Sequence, residues 1–146
     1  MAKFQYRMQN ILDIKLKLES QAKIAYGIAN QKYLAEQQVL QELIIRRTGY
    51  EKVLKELMTG TIDVSKVTHA RADVNTMKTL VRRQMIAVHK AELELEDARK
   101  KLNEVMMERK THEKLREKAF ERFKEEIKEG ESKEIDELVS FTYNSK

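Results

Sequence analysis

The stretch Met58-Thr59-Gly60-Thr61-Ile62-Asp63 decides how this chain folds, because it is the strongest turn signal in 146 residues with four glycines and no proline. Gly60 suits the left-handed conformation that closes a helix. Thr61 or Asp63 can accept hydrogen bonds from the unpaired amides that open the next one. The segment therefore predicts a hairpin tip near Gly60.

Outward from that tip, apolar residues recur at alternating steps of three and four, the spacing that keeps one stripe of a helix against a partner. Before the tip the stripe reads Phe4, Met8, Ile11, Lys15, Leu18, Ala22, Ala25 and Ala29, then Lys32, Glu36, Val39, Leu43, Arg46, Tyr50, Val53 and Leu57. After it the stripe reads Val67, Ala70, Val74, Met77, Val81, Gln84, Val88, Ala91, Leu95, Ala98, Leu102 and Val105. It weakens through Arg109, His112, Arg116, Ala119, Phe123 and Glu126, where Leu115, Phe120 and Ile127 suggest a shift. Gly27 and Gly49 read as interior helix residues. Gly130 is a weaker break. The fold class is all-α: two long helices, about 4–58 and 63–129, form an antiparallel coiled-coil hairpin over residues 1–130, and 131–146 form a short helical or frayed tail. Symmetric pairing about Gly60 sets Ala22, Ala25, Gly27 and Ala29 opposite Ala91 and Ala98.

Composition supports this reading. Charged residues make up 36% of the chain and aromatics 6%, and there is no cysteine or tryptophan. Strong helix formers dominate, and a layered globular core is excluded. Without cysteine there are no disulfides, thiolate metal sites or cysteine nucleophiles. No run approaches the roughly 18 apolar residues of a membrane span, so no membrane insertion is expected and the protein reads as cytoplasmic.

Catalytic chemistry is not evident. No phosphate loop, dinucleotide fingerprint, nucleophile elbow or zinc-protease motif occurs. His69, His89 and His112 lack metal-ligand spacing, and His112 falls on the seam. Glu92, Glu94, Glu96 and Asp97 read as a solvated face. The expectation is a non-enzyme with no catalytic residues, metal or cofactor.

Binding is the better prospect. Lys66, Arg71, Lys78, Arg82, Arg83 and Lys90 face one acid, Asp73, between Ser65 and Lys90. Such a bias attracts an acidic protein face, an anionic membrane surface or nucleic acid. The segment lacks the interleaved aromatics of a nucleic-acid module, so no nucleic acid is expected; a basic coiled-coil arm that does bind it, or a self-associating structural coiled coil, stand as alternatives. Met77, Leu80, Val81, Met85 and Val88 make the second helix apolar over more than one stripe. Ile24, Tyr26, Ile28, Tyr33, Leu40, Ile44 and Ile45 do the same off the first stripe. Both helices thus have apolar width for a further partner.

The opening Phe4-Gln5-Tyr6-Arg7-Met8-Gln9-Asn10-Ile11-Leu12-Asp13-Ile14-Lys15, with Glu19 and Ala22, resembles the start of the FliJ family of flagellar export proteins. Leu115-Arg116-Glu117-Lys118-Ala119-Phe120, Phe123-Lys124-Glu125-Glu126, Lys133-Glu134-Ile135-Asp136-Glu137 and Phe141-Thr142-Tyr143 resemble the family's C-terminal pattern. The resemblance implies a coiled coil similar to the central stalk of rotary ATPases. It also implies three partners: the flagellar export ATPase, the cytoplasmic domain of the export-gate membrane protein, and export chaperones. The location it implies is the flagellar base, peripherally at the inner face of the cell membrane. Gate contacts are expected near Met77, Leu80, Val81, Gln84 and Val88. ATPase contacts are expected at Phe4, Tyr6, Arg7, Met8 and Leu12 with Phe120, Phe123 and Lys124.

Overall fold

The computed structural model describes residues 3–144 and contains two helices, α1 (Gln9–Leu57) and α2 (Val64–Asn144), packed as an antiparallel hairpin. Asp63 caps α2: its Oδ1 accepts from the Ser65 amide at 3.0 Å and the Lys66 amide at 3.4 Å, leaving Thr61 without that role. Two of the four amides orphaned at the helix start are thereby satisfied. At the other side of the turn, the Thr59 hydroxyl donates to the Glu56 carbonyl at 2.7 Å. Gly60 has φ +75°, the left-handed conformation that side chains rarely adopt. The tip therefore lies where the turn residues place it.

Three expectations are corrected. Residues 4–8 precede α1 rather than opening it; the helix starts at Gln9, whose amide donates to the Tyr6 carbonyl at 3.0 Å. The break expected at Gly130 is absent, since α2 runs through it to Asn144. Gly130 keeps a negative φ, and the lysines and glutamates around it favour the helix, so one glycine is tolerated at a modest cost. Of the tail expected over 131–146, residues 145 and 146 lie outside the described residues.

The third correction concerns register. On α2 the predicted stripe is the observed one from Val67 to Phe123, except that Arg116 is exposed; beyond Phe123 the half-buried position is Ile127, not Glu126. On α1 only every second stripe position faces α2. Lys15, Ala22, Ala29, Glu36, Leu43 and Leu57 are buried or half-buried as expected. Ile11, Leu18, Ala25, Lys32, Val39, Arg46 and Val53 are exposed, and the residue after each, from Leu12 and Glu19 through Tyr26, Tyr33 and Leu40 to Arg47 and Leu54, takes its place. Tyr26, Tyr33 and Leu40 thus belong to the seam.

The chain divides into two compact units: Met1–Gln21 with Asn103–Lys146, and Ala22–Leu102. In the second, Ala22, Ala70, Val74, Met77, Val81 and Ala91 form the core. Val81 and Ala91, at 3% and 1% exposed, are the most deeply buried of these. Lys32 reaches Glu94 at 2.9 Å, and the Gln84 amide donates to the Glu36 carbonyl at 2.9 Å and to its carboxylate. In the first unit, Leu12 and Val105 are buried, Lys15 reaches Glu108 at 2.8 Å, and Arg109 grips Glu19. Exposed ion pairs contribute little to stability. Their effect here is to fix which turns of α1 and α2 face each other.

Candidate partner-binding surfaces

The N-terminal segment before α1 folds over α2. Phe4 sits 5.0 Å from Phe120, edge to face at 67°, and 5.4 Å from Phe123. Such geometries contribute beyond simple area burial. The Arg116 guanidinium lies 5.5 Å over the Phe4 ring and the Lys124 ammonium 4.8 Å over Phe120, within the range of cation–π attraction. Arg116 also donates to the Gln9 side-chain oxygen at 2.9 Å, tying the first turn of α1 to α2. Beside this stack a cleft is lined by Tyr6, Arg7, Met8, Ala119, Arg122 and Glu126 together with Phe4 and Phe123. The Tyr6 hydroxyl is buried without a hydrogen-bond partner.

Of the eight residues expected at this end, Phe4, Tyr6, Arg7, Met8 and Phe123 border the cleft, and Phe120 and Lys124 extend its aromatic wall. Leu12 does not belong with them. At 4% exposure it is a core residue of the seam. Arg116, a seam position by spacing, joins this cluster instead. The signal was present in the spacing Arg116, Phe120, Phe123, which sets one cation and two rings on one face of α2.

On α2 near the tip, the five residues expected as one contact region separate. Met77 and Val81 are buried against α1, and Gln84 and Val88 are half-buried, Gln84 bonded to Glu36. Only Leu80 reaches the surface, because a residue three after one seam position and one before the next sits on the flank of the stripe. The exposed apolar residues of this stretch are Leu80, Met85 and Ile86. Arg71, Lys78, Arg82 and Arg83 are exposed beside them and enter none of the ion pairs among the described residues.

The third group is acidic. Glu94 and Glu96 lie further along α2, each held by a cation: hydrogen bonding to Lys32 lowers the Glu94 carboxyl below its ordinary value, and hydrogen bonding to Arg99 does the same for Glu96. His112 is half-buried on the seam, its Nδ1 without a partner. Among the described residues, no helix is long and apolar enough to cross a membrane, and no group of three or more His, Cys, Asp or Glu residues could hold a metal ion.

The profile of the family described as flagellar FliJ protein matches residues 4–146, nearly the whole chain. No curated protein matches significantly, and no solved structure does. The match spans both helices and the N-terminal segment that carries Phe4, so the chain belongs to the FliJ family of flagellar proteins, structural components of the export apparatus built as helical coiled coils.

Proposed function

We infer that this protein acts as a stalk of the flagellar export machinery, binding the export ATPase ring through the end that carries Phe4 and coupling it to the export gate. The observation that carries the reading is the stack of Phe4, Phe120 and Phe123 with Arg116 and Lys124 laid over the rings. Apolar surface framed by cations offers a ring lumen both burial and charge, with no catalytic group of its own. Past Ile127 no residue of α2 up to Tyr143 is buried, and Ile135, Leu138, Val139 and Phe141 are exposed there. That length of α2 supplies a further apolar surface to the same partner.

The gate meets α2 on the flank of its seam near the tip. Leu80, Met85 and Ile86 with Arg82 and Arg83 supply the surface, while Met77 and Val81 support it from the seam. Export chaperones are a third partner on this reading. The test is a reconstitution with the purified export ATPase. Phe4→Ala with Phe123→Ala abolishes the stimulation of ATP turnover while circular dichroism stays unchanged; unaltered stimulation by a folded double variant sinks the reading.

A further inference from the structure

The outward face of α1 in the Ala22–Leu102 unit differs from an ordinary solvated helix surface. Twelve positions between Ile24 and Gly49 point away from α2; all are exposed, and only Glu42 among them is charged. The same heptad offsets on α2 from Asn75 to Lys100 give twelve positions with six charges. Ile24, Ile28 and Ile45 are 65%, 64% and 63% exposed. Leu34, 53% exposed, lies between them, so the face combines exposed aliphatic side chains with amides and a near-absence of charge. Gly27 and Gly49 add an independent observation. Neither has a positive φ, and a Cβ on either would meet no atom within 4 Å, so neither the α1 backbone nor packing on α2 calls for glycine there.

The spacing on this face is that of a second seam. Ile24, Ile28, Gln31, Ala35, Gln38, Glu42, Ile45 and Gly49 step alternately by four and three. The series also complements itself when reversed. Laid antiparallel on a second copy, Ile24 falls opposite Gly49, Ile28 opposite Ile45, Gln31 opposite Glu42 and Ala35 opposite Gln38. Each large side chain then meets a small or matching one, and the lone carboxylate meets an amide that can donate to it. A parallel arrangement would stack Glu42 on Glu42, which like-charge repulsion disfavours.

We propose that this face is a self-association surface through which two copies pair α1 against α1, antiparallel, about a two-fold axis level with Glu36 and Gln37. Isologous pairing of this sort needs one patch that fits itself, which the reversed register supplies. The stripe is about 39 Å long and about 10 Å wide, giving roughly 800 Å² over both copies. That falls below the ~1,200 Å² of a stable interface, so the dimer is reversible and fills only at high protein concentration. The surface lies on the outward positions of α1, apart from the residues assigned above to the ATPase and the gate, so the pairing stands or falls independently of the stalk reading.

The chain has no cysteine, which makes crosslinking clean. I28C and I45C proteins are prepared separately and oxidised mildly, alone and mixed. The expected result is a disulfide-linked species in the mixture and little in either protein alone. Crosslinking of I28C alone, with none gained on mixing, overturns the antiparallel register. Sedimentation velocity supplies the second readout, with a monomer–dimer equilibrium expected below about 0.5 mM and weakened by Ile28→Glu at least roughly tenfold. Ile28 is exposed, so that variant keeps its helicity by circular dichroism. A wild-type protein that stays monomeric up to the highest concentration reached overturns the proposal.

Discussion

Glu19 lies on the seam of α1 at 6% exposure, and the guanidinium of Arg109 on α2 grips both of its carboxylate oxygens, Nε to Oε2 at 2.5 Å and Nη2 to Oε1 at 3.3 Å. Arg109 also donates to Glu113 at 2.8 Å, and hydrogen bonding to Glu19 first and Glu113 second raises its pKa above the ordinary value. Removing Arg109 takes two hydrogen bonds that reach across the seam away from a carboxylate that is 6% exposed. Arg109→Ala is expected to lower the melting temperature by roughly 5 °C or more. Glu19→Met with Arg109→Met should restore most of the loss, because an apolar pair of similar volume suits the seam. Thermal melts followed by circular dichroism decide this, and a single variant that melts with wild type refutes the assignment.

The division of the α2 segment into support and surface makes a second prediction. Met77→Ala should cost about 2 kcal/mol, because it leaves a gap against α1. Leu80→Ala should stay within about 0.5 kcal/mol, as expected of a substitution on the flank. Urea denaturation of both variants tests the difference. If the order reverses, the seam is misassigned.

Glycine substitutions should move stability in opposite directions at two positions. Gly60→Ala forces a side chain into φ +75° and should cost about 1 kcal/mol. Gly130→Ala lies in helical backbone with nothing within 4 Å of the new methyl group, and should strengthen the local helix by up to about 1 kcal/mol. Denaturant titration reports the first. Amide hydrogen exchange around residue 130 reports the second, and unchanged or faster exchange there contradicts a continuous α2.

Acid should loosen the hairpin. Hydrogen bonds from Lys15 and Lys32 lower the carboxyls of Glu108 and Glu94 below the ordinary value of 4.5. A carboxyl lowered in the folded state contributes stability above its unfolded value, and that contribution is lost as pH falls through the folded one. Because both pairs are largely exposed, the melting temperature should drop only slightly as pH falls from about 5 toward about 3. Lys15→Met with Lys32→Met should flatten that slope, and equal slopes for variant and wild type would dismiss these pairs as its source.

The sequence by itself determined the tip and the α2 seam. Gly60 and Asp63 are chemically suited to one turn, and from Val67 to Val105 one register of threes and fours holds without a break. On α1 two stripes compete. Ile11, Leu18, Ala25, Val39 and Val53 are as apolar as Leu12, Tyr26, Tyr33, Leu40 and Leu54, and each series carries two charges, Lys32 and Arg46 in the first, Glu19 and Arg47 in the second. Only the tertiary structure decided between them. Arg109 reaches across from α2 to hold Glu19, and Arg47 lies 3.5 Å from Glu51 one turn on, so the series that begins at Leu12 packs with both of its charges partnered. The cluster around Phe4 divides in the same way. The aromatic and cationic residues could be read at each end of the chain, whereas the stacking of Phe4 on Phe120 and Phe123, and the burial of Leu12 away from them, depend on contacts more than a hundred residues apart in sequence, beyond the reach of a local pattern.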